Sequence, residues 1–169
     1  QVQKIINSKE FRAYTNSDII GVELGGALKN IIALGAGICD GLELGDNAKA
    51  AFITRGLREI TRLSISAGAN PETLSGLSGL GDLIATCSST LSRNHSVGEK
   101  LAQGIDIDKI TQSMMHVAEG IETTSIAIEL AKKFNVELPI TSGINFIIKK
   151  ELSITEAIYK LLDRDPVHE

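Results

Sequence analysis

The sequence predicts an all-α domain of several helices. From Asp18 onward, apolar residues recur at helical spacing, and capping residues and glycines bracket the apolar stretches. After residue 17 the chain shows neither a convincing strand nor a hairpin turn. We therefore expect about seven helices in the body of the protein, which we place at residues 18–169.

Residues 1–17 predict a different pattern. Val2 to Ile6 indicate a short helix, Phe11 to Thr15 an extended segment, and Asn16-Ser17 a turn. This short αβ fragment does not continue into a longer pattern. We interpret it as the tail of a preceding domain.

The first helix of the body is apolar on nearly every face. Ile20, Leu24, Leu28 and Ile31 form one stripe, and other apolar residues cover the remaining faces. Such a helix belongs in a core. The chain has no uncharged, glycine-free run of about 18 apolar residues, so we expect no integral membrane segment.

The later helices are predicted from local start and stop signals. Asp46 is the expected N-cap of an amphipathic second helix that stops at Gly68. Gly76, Gly79 and Gly81 then predict a loop around Asp82. Further helices are expected after Asn70-Pro71, from Ser92 to Gly104, from Ala118 to Phe134, from Thr141 to Lys149, and from Ile154 to Leu162 behind a capping box at Ser153 and Glu156.

Composition limits the class of function. The 169 residues carry 17 Lys and Arg against 21 Asp and Glu, and the net charge of −4 argues against a general nucleic-acid or acidic-membrane binder. Cys39 and Cys87 are not in a Cys-x-x-Cys pair, which argues against a disulfide framework and favours a reducing cytoplasm. The chain starts with Gln1 and without an apolar leader, so we expect it to begin within a longer protein.

Lys29 is the first candidate for chemistry. It stands in the apolar helix, and no obvious neighbour along that helix neutralises it. An ammonium removed from water gives up its proton more readily, which suits a general acid or base. Alternatively, its stem lies along apolar surface while the ammonium reaches water. Asn30 beside it is a second polar group that needs a partner.

Ser92, Arg93 and Asn94 are the second candidate. They place a hydroxyl, a guanidinium and an amide on the first turn of a helix, where free N–H groups favour an anion such as phosphate. An ordinary N-cap with an exposed arginine is the alternative. Asp82 also has two interpretations, a functional carboxylate or an ordinary turn residue, because Gly-Asp is common in turns.

Glycine also points to the first half of the chain. Twelve of the sixteen glycines precede residue 82, at positions 21, 25, 26, 35, 37, 41, 45, 56, 68, 76, 79 and 81. Helices or a ligand are expected to approach the backbone closely there.

Other sites are not supported. The three histidines, His95, His116 and His168, have no ligand spacing, so we predict no metal. A hydrolase triad of Ser92, His95 and Asp82 lacks the glycine pattern of a nucleophile elbow. No strand is followed by Gly-x-Gly-x-x-Gly, so a dinucleotide pyrophosphate cradle is absent from the sequence.

Several stretches together resemble bacterial NAD(P)-dependent glycerol-3-phosphate dehydrogenases, in family order from about Arg12 to Pro139. They are Gly21 to Asn30, Gly45 to Ala51, Thr54 to Leu57, Gly76 to Leu83, Leu91 to Asn94, and Val117 to Gly120. The resemblance implies a helical domain like the C-terminal domain of 6-phosphogluconate dehydrogenase. It also implies NAD or NADP as cofactor, a missing N-terminal Rossmann domain, and a homodimer.

The resemblance further implies a reaction and its residues. The family interconverts dihydroxyacetone phosphate and sn-glycerol 3-phosphate, a precursor for phospholipid synthesis. Lys29 then corresponds to the proton donor and acceptor, while Asp82, Ser92, Arg93 and Asn94 bind substrate. Arg93, Val117 and Glu119 touch the dinucleotide. The fragment alone is expected to be inactive.

Two alternatives stay open at this point. One is a helical dimerisation or regulatory module with an anion pocket and no catalytic residue. The other makes Lys29 a Schiff-base nucleophile of a lyase that acts on dihydroxyacetone phosphate.

Overall fold

A computed structural model describes residues 1–164, and these residues confirm the all-α prediction. They form ten α-helices and one π-helical turn, and no strand occurs within this range. The helices are α1 (Val2–Ile6), α2 (Ile19–Gly41), α3 (Asp46–Ser66), α4 (Pro71–Ser75), α5 (Asp82–Ser88), α6 (Arg93–Ala102), α7 (Ile107–Gln112), α8 (Glu119–Phe134), α9 (Pro139–Ile148) and α10 (Ile154–Leu162), with the π turn at Leu77–Gly81. Residues 165–169, including His168, lie outside the described residues.

Helix α2 is the centre of the fold, as its apolar faces predict. Helices α3, α5, α6 and α8 pack against it, and twelve of its residues are buried. Of the described helices, α2 is long and apolar enough to cross a membrane, with a mean hydropathy of 1.5 in its most apolar window, half of which is buried. Because four helices surround α2, its environment is that of a core helix.

Glycines allow α6 to lie directly on α2. A Cβ atom on Gly37 would lie 1.9 Å from the carbonyl oxygen of His95, and one on Gly98 would lie 2.0 Å from the carbonyl oxygen of Leu34. Any side chain at either position would force the two backbones apart. The uneven glycine content of the sequence therefore reflects, in part, this close helix packing.

Most local boundary signals are confirmed. The capping box of Ser153 and Glu156 is complete, and Asn70 caps α4 with Pro71 as its first residue. Gly68 and Gly104 have positive φ angles of 101° and 78° just beyond helix ends, as expected for stops.

Two boundary predictions were wrong. Gly45, with a φ of 84°, precedes α3 where Asp46 was expected as N-cap, and Asp46 is the first helical residue. The glycine-rich segment from Gly76 to Asp82 is not a loop, because it forms the π turn and the start of α5. Helix α5 was missed for this reason, and α7 was missed as well.

The N-terminal segment is only partly as predicted. Helix α1 has the expected bounds and buries none of its residues. Phe11 to Thr15 form no strand within the described chain, because no neighbouring strand pairs with their backbone groups. Instead, the side chain of Gln3 donates to the carbonyl of Ala13, and the amide of Ala13 donates to Asn7.

Both cysteines are free and buried. Burial raises the pKa of Cys39 to about 11 and that of Cys87 to about 12. Neither thiol is therefore poised for nucleophilic chemistry.

Candidate active site

Lys29 and Asp82 form an ion pair. Lys29 Nζ lies 2.5 Å from Asp82 Oδ2, and the side chains are 20% and 37% exposed. The sequence indicated no partner for Lys29 along its own helix, and the partner is 53 residues away on α5. The lysine is thus mostly withdrawn from water but held by an opposite charge.

Close backbone packing brings Asp82 to Lys29. A Cβ on Gly25 would lie 2.7 Å from the carbonyl oxygen of Ser78, and a Cβ on Gly79 would lie 2.1 Å from that of Leu74. Gly25 lets the π turn rest on α2, one turn before Lys29, and Gly79 lets the same turn fold closely onto α4. Asp82, the first residue of α5, then faces the lysine.

Thr86 supports Asp82 and was not singled out by the sequence. Its hydroxyl lies 2.7 Å from the Asp82 carbonyl oxygen and 3.3 Å from Asp82 Oδ1. A threonine one turn after an acidic residue is common in helices, so the sequence held no specific signal for it.

Asn30 and Asn94 link three helices. Asn94 Nδ2 donates to Asn30 Oδ1 at 3.1 Å, and Asn94 Oδ1 accepts from the amide of Gly120 at 2.9 Å. Asn94 is 4% exposed. A Cβ on Gly120 would lie 2.6 Å from the Asn30 carbonyl oxygen. Asn94, which was predicted to bind substrate, therefore uses its side chain in buried hydrogen bonds that fix the start of α6.

The first turn of α6 opens onto a pocket. Ser92 caps the helix by accepting from the amide of His95 at 3.3 Å. The first N–H groups of a helix have no intrahelical partner and attract anions. The pocket has a volume of about 370 Å³, and its lining comprises Asn30, Ala85, Thr86, Ser89, Leu91, Ser92, Arg93, Asn94 and Glu119.

Arg93 and Glu119 face each other across this pocket. Arg93 Nη2 lies 3.3 Å from Glu119 Oε1, and the side chains are 46% and 61% exposed. An exposed pair of this kind is weak and can open to admit another anion. The guanidinium is thus available at the mouth of the pocket.

Exposed apolar side chains border the same mouth. Leu91 is 90% exposed, and Val117, two residues before Glu119, is 66% exposed. These side chains fit an apolar ring or a covering surface better than water. Leu91 and Arg93 both line the pocket, so apolar and charged surface meet at this edge.

The remaining polar candidates lie elsewhere. His95 is buried with its Nε2 atom 2.7 Å from Asp40 Oδ2, and His116 is exposed. Within residues 1–164, no three His, Cys, Asp or Glu side chains cluster as metal ligands would. A second cavity of about 270 Å³ lies between α8, α9 and α10, and its lining includes no residue of the predicted site.

Comparison with known protein families shows the family of this chain. The family described as NAD-dependent glycerol-3-phosphate dehydrogenase C-terminus matches residues 18–159. The chain belongs to this family.

Individual relatives agree with the family assignment. The chain is 57% identical to a glycerol-3-phosphate dehydrogenase (NAD(P)+) from Dehalococcoides mccartyi over 98% of its own length and 46% of that protein. It is 49% identical to the enzyme of the same name from Geobacter sulfurreducens, over 97% of the chain and 49% of the relative. The chain thus spans about half the length of these relatives.

Solved structures show the same fold. The crystal structure of a glycerol-3-phosphate dehydrogenase from Coxiella burnetii matches with a TM-score of 0.90 and 43% identity, over 96% of this chain and 50% of the other. The enzyme from Saccharomyces cerevisiae matches with a TM-score of 0.84 and 26% identity, over 95% and 47%. The helical body of the chain is therefore the family's C-terminal domain.

Proposed function

We propose that this chain is the substrate-binding and catalytic domain of an NAD(P)-dependent glycerol-3-phosphate dehydrogenase, which interconverts dihydroxyacetone phosphate and sn-glycerol 3-phosphate. The observation that carries the proposal is the Lys29–Asp82 ion pair next to a pocket that ends at the first turn of α6. Neither residue lines the pocket itself, but Asn30, which follows Lys29, and Thr86, which bonds to Asp82, both do. The pair offers a proton, and the helix end offers an anion seat. The relatives carry the same activity in their names.

Lys29 is the proton donor and acceptor at the C2 oxygen of the substrate. The ketone oxygen needs a proton as C2 is reduced, and the alcohol must lose one in the reverse direction. Asp82 holds the ammonium in place at 2.5 Å and is partly exposed, so it can also accept from a substrate hydroxyl. Thr86 positions Asp82 through a hydrogen bond to its carboxylate.

The substrate phosphate binds at the first turn of α6. Arg93 supplies a guanidinium that can hold two phosphate oxygens, and the first amides of the helix supply further donors. Ser92 contributes its hydroxyl, and Asn94 keeps the turn in register with α2. The Arg93–Glu119 pair opens when phosphate enters.

Arg93, Val117 and Glu119 would hold the dinucleotide. Exposed apolar and charged side chains at this edge fit such a group. When bound, the nicotinamide supplies or accepts the hydride at C2. Lys29, Asp82 and the first turn of α6 would orient the substrate for this transfer.

The rest of the enzyme follows from this assignment. A dinucleotide-binding domain precedes the helical body, and residues 1–17 are the end of that domain. The intact enzyme is a cytoplasmic homodimer, and its product serves phospholipid synthesis. Residues 18–169 form the domain that binds substrate.

Turnover by two proteins tests the proposal. Full-length enzyme should oxidise NAD(P)H only when dihydroxyacetone phosphate is added. The purified 169-residue chain should give a helical circular dichroism spectrum and no turnover, because it has no pyrophosphate cradle. Full-length protein without this activity would refute the proposed function. Turnover by the 169-residue chain alone would show that it does not need a separate dinucleotide-binding domain.

A further inference from the structure

His95 takes no part in the chemistry proposed above, yet it directly follows Arg93 and Asn94 in the first turn of α6. Its side chain is 4% exposed, and Nε2 lies 2.7 Å from Asp40 Oδ2. Because a carboxylate oxygen only accepts, Nε2 carries the hydrogen and donates. The bond ties the first turn of α6 to the last turn of α2.

Asp40 is itself firmly held. Lys49 Nζ, in the first turn of α3, lies 2.5 Å from the same oxygen. Burial opposes the charge on Asp40, but the hydrogen bonds from Lys49 and His95 outweigh it and keep the pKa of Asp40 below its ordinary value. His95 is therefore bonded to an ionised carboxylate that a third helix fixes.

The other ring nitrogen, Nδ1, makes no hydrogen bond, so the imidazole has a single hydrogen bond, to Asp40, among the described residues. Nδ1 is buried and has no hydrogen-bond partner among the described residues. The nearest carboxylate oxygen, Glu99 Oε2, is 3.6 Å away. An unsatisfied buried nitrogen costs free energy, so the bond to Asp40 is the polar contact that holds the imidazole in this position.

Asn94 and His95 anchor the helix end at two separate points. Asn94 bonds to Asn30 and His95 bonds to Asp40, two residues of α2 that are about 15 Å apart along its axis. Gly37 and Gly98 already hold the backbone of α6 against α2, and the two side-chain bonds add to this contact at the first turn. Two anchors fix its direction relative to Lys29, which lies beside the first anchor.

We infer that His95 is a positioning residue for the substrate phosphate, which acts through the first turn of α6 and Arg93. This inference rests on the proposed function. Lys29 and Asp82 are joined directly between α2 and α5, so their contact does not depend on His95. Loss of the His95 bond should therefore weaken recognition of the phosphate and spare the proton transfer.

The test compares two substrates in full-length enzyme. His95→Leu should lower kcat/KM for dihydroxyacetone phosphate at least about tenfold, the value of one charge-assisted hydrogen bond. With NAD(P)H at saturation, it should change kcat/KM for phosphate-free dihydroxyacetone by less than about threefold, because the phosphate is the part of the substrate that contacts the turn. His95→Gln should restore most of the loss, because its Nε2 can donate where the imidazole Nε2 does.

Two further variants keep the test decisive. Should His95→Leu fail to fold, His95→Asn offers a shorter donor that does not reach Asp40, and it should bind dihydroxyacetone phosphate more weakly than His95→Gln. Ile144→Ala, a buried change in α9, controls for lost stability and should leave the ratio of the two substrates unchanged. Equal losses on both substrates, or no difference between Gln and Asn, would overturn the inference, whereas an inactive wild type would overturn the proposed function instead.

Discussion

The Lys29 ammonium lies 2.5 Å from the Asp82 carboxylate, across a gap of 53 residues in the chain. This contact joins the central helix to α5, and it depends on glycine at positions 25 and 79, where a side chain would collide with backbone. The close packing of the backbone therefore determines where Asp82 lies relative to Lys29. The same packing forms one end of the pocket through Thr86 and Asn30.

Arg93 should be specific for the phosphate. Arg93→Ala in full-length enzyme should raise the KM for dihydroxyacetone phosphate at least about tenfold, because charge-assisted hydrogen bonds contribute about 1.5 to 3 kcal/mol. Arg93→Lys should not rescue it, since an ammonium cannot hold two oxygens in a plane. Steady-state kinetics with dihydroxyacetone as the control substrate checks this. An equal loss on both substrates would mean that Arg93 serves the cofactor or the fold.

Gly120 should tolerate no side chain. A Cβ there would lie 2.6 Å from the Asn30 carbonyl oxygen and 2.8 Å from Asn94 Oδ1, so Gly120→Ala should destabilise the fold by about 1 to 3 kcal/mol. Thermal unfolding measures the change. Gly26→Ala is the matched control, because nothing lies within 4 Å of its Cβ and alanine favours a helix by up to about 1 kcal/mol. A Gly120→Ala protein as stable as wild type would contradict the observed packing.

Glu59 should stabilise the start of α9, although it lies 81 residues before Ile140 in the chain. Its carboxylate accepts from the amides of Ile140 and Thr141 at 2.6 and 3.1 Å, at a helix start where Leu138 gives no side-chain cap. Glu59→Ala leaves these buried donors unpaired and should cost about 2 to 4 kcal/mol in urea unfolding. Ser66→Ala, an exposed change in the same helix, should cost far less.

The pH dependence of this contribution has a definite sign. Burial raises the pKa of Glu59 above its ordinary value of 4.5, despite the hydrogen bonds it accepts. The folded state therefore keeps the proton longer than the unfolded state. The resulting stability is fully present below pH 4.5 and is lost as the pH rises through the folded-state pKa. Urea unfolding of wild type and Glu59→Gln at several pH values tests this sign. The free energy of unfolding of wild type minus that of Glu59→Gln should decrease as the pH rises, and an increase would contradict the raised pKa.

Much of the fold could be predicted from local sequence signals. The capping box at Ser153, the Asn70-Pro71 start and the stop at Gly68 act within one helical turn, and all three are observed. The glycine-rich stretch before Asp82 could not be read in this way. Its glycines favour a loop locally, but contact with α2 and α4 holds it as a π turn.

The candidate site shows the same division. Lys29 and Arg93 could be selected because a charge in an apolar helix and a guanidinium at a helix start are visible in one segment. The partners Asp82 and Glu119 lie 53 and 26 residues away from them, so no spacing rule connects the pairs. Thr86 bonds to Asp82 and lines the pocket, and it belongs to no pattern that the sequence displays.

The turnover number of Lys29→Met in full-length enzyme tests the central claim most directly. Methionine keeps the length of the side chain but removes the ammonium, so kcat should fall by about 10² to 10⁴, while the KM for dihydroxyacetone phosphate changes much less. Asp82→Asn, which leaves the ammonium without its counter-ion, should lower kcat in the same direction by a smaller factor. A Lys29→Met enzyme with the kcat of wild type would show that Lys29 does not transfer the proton.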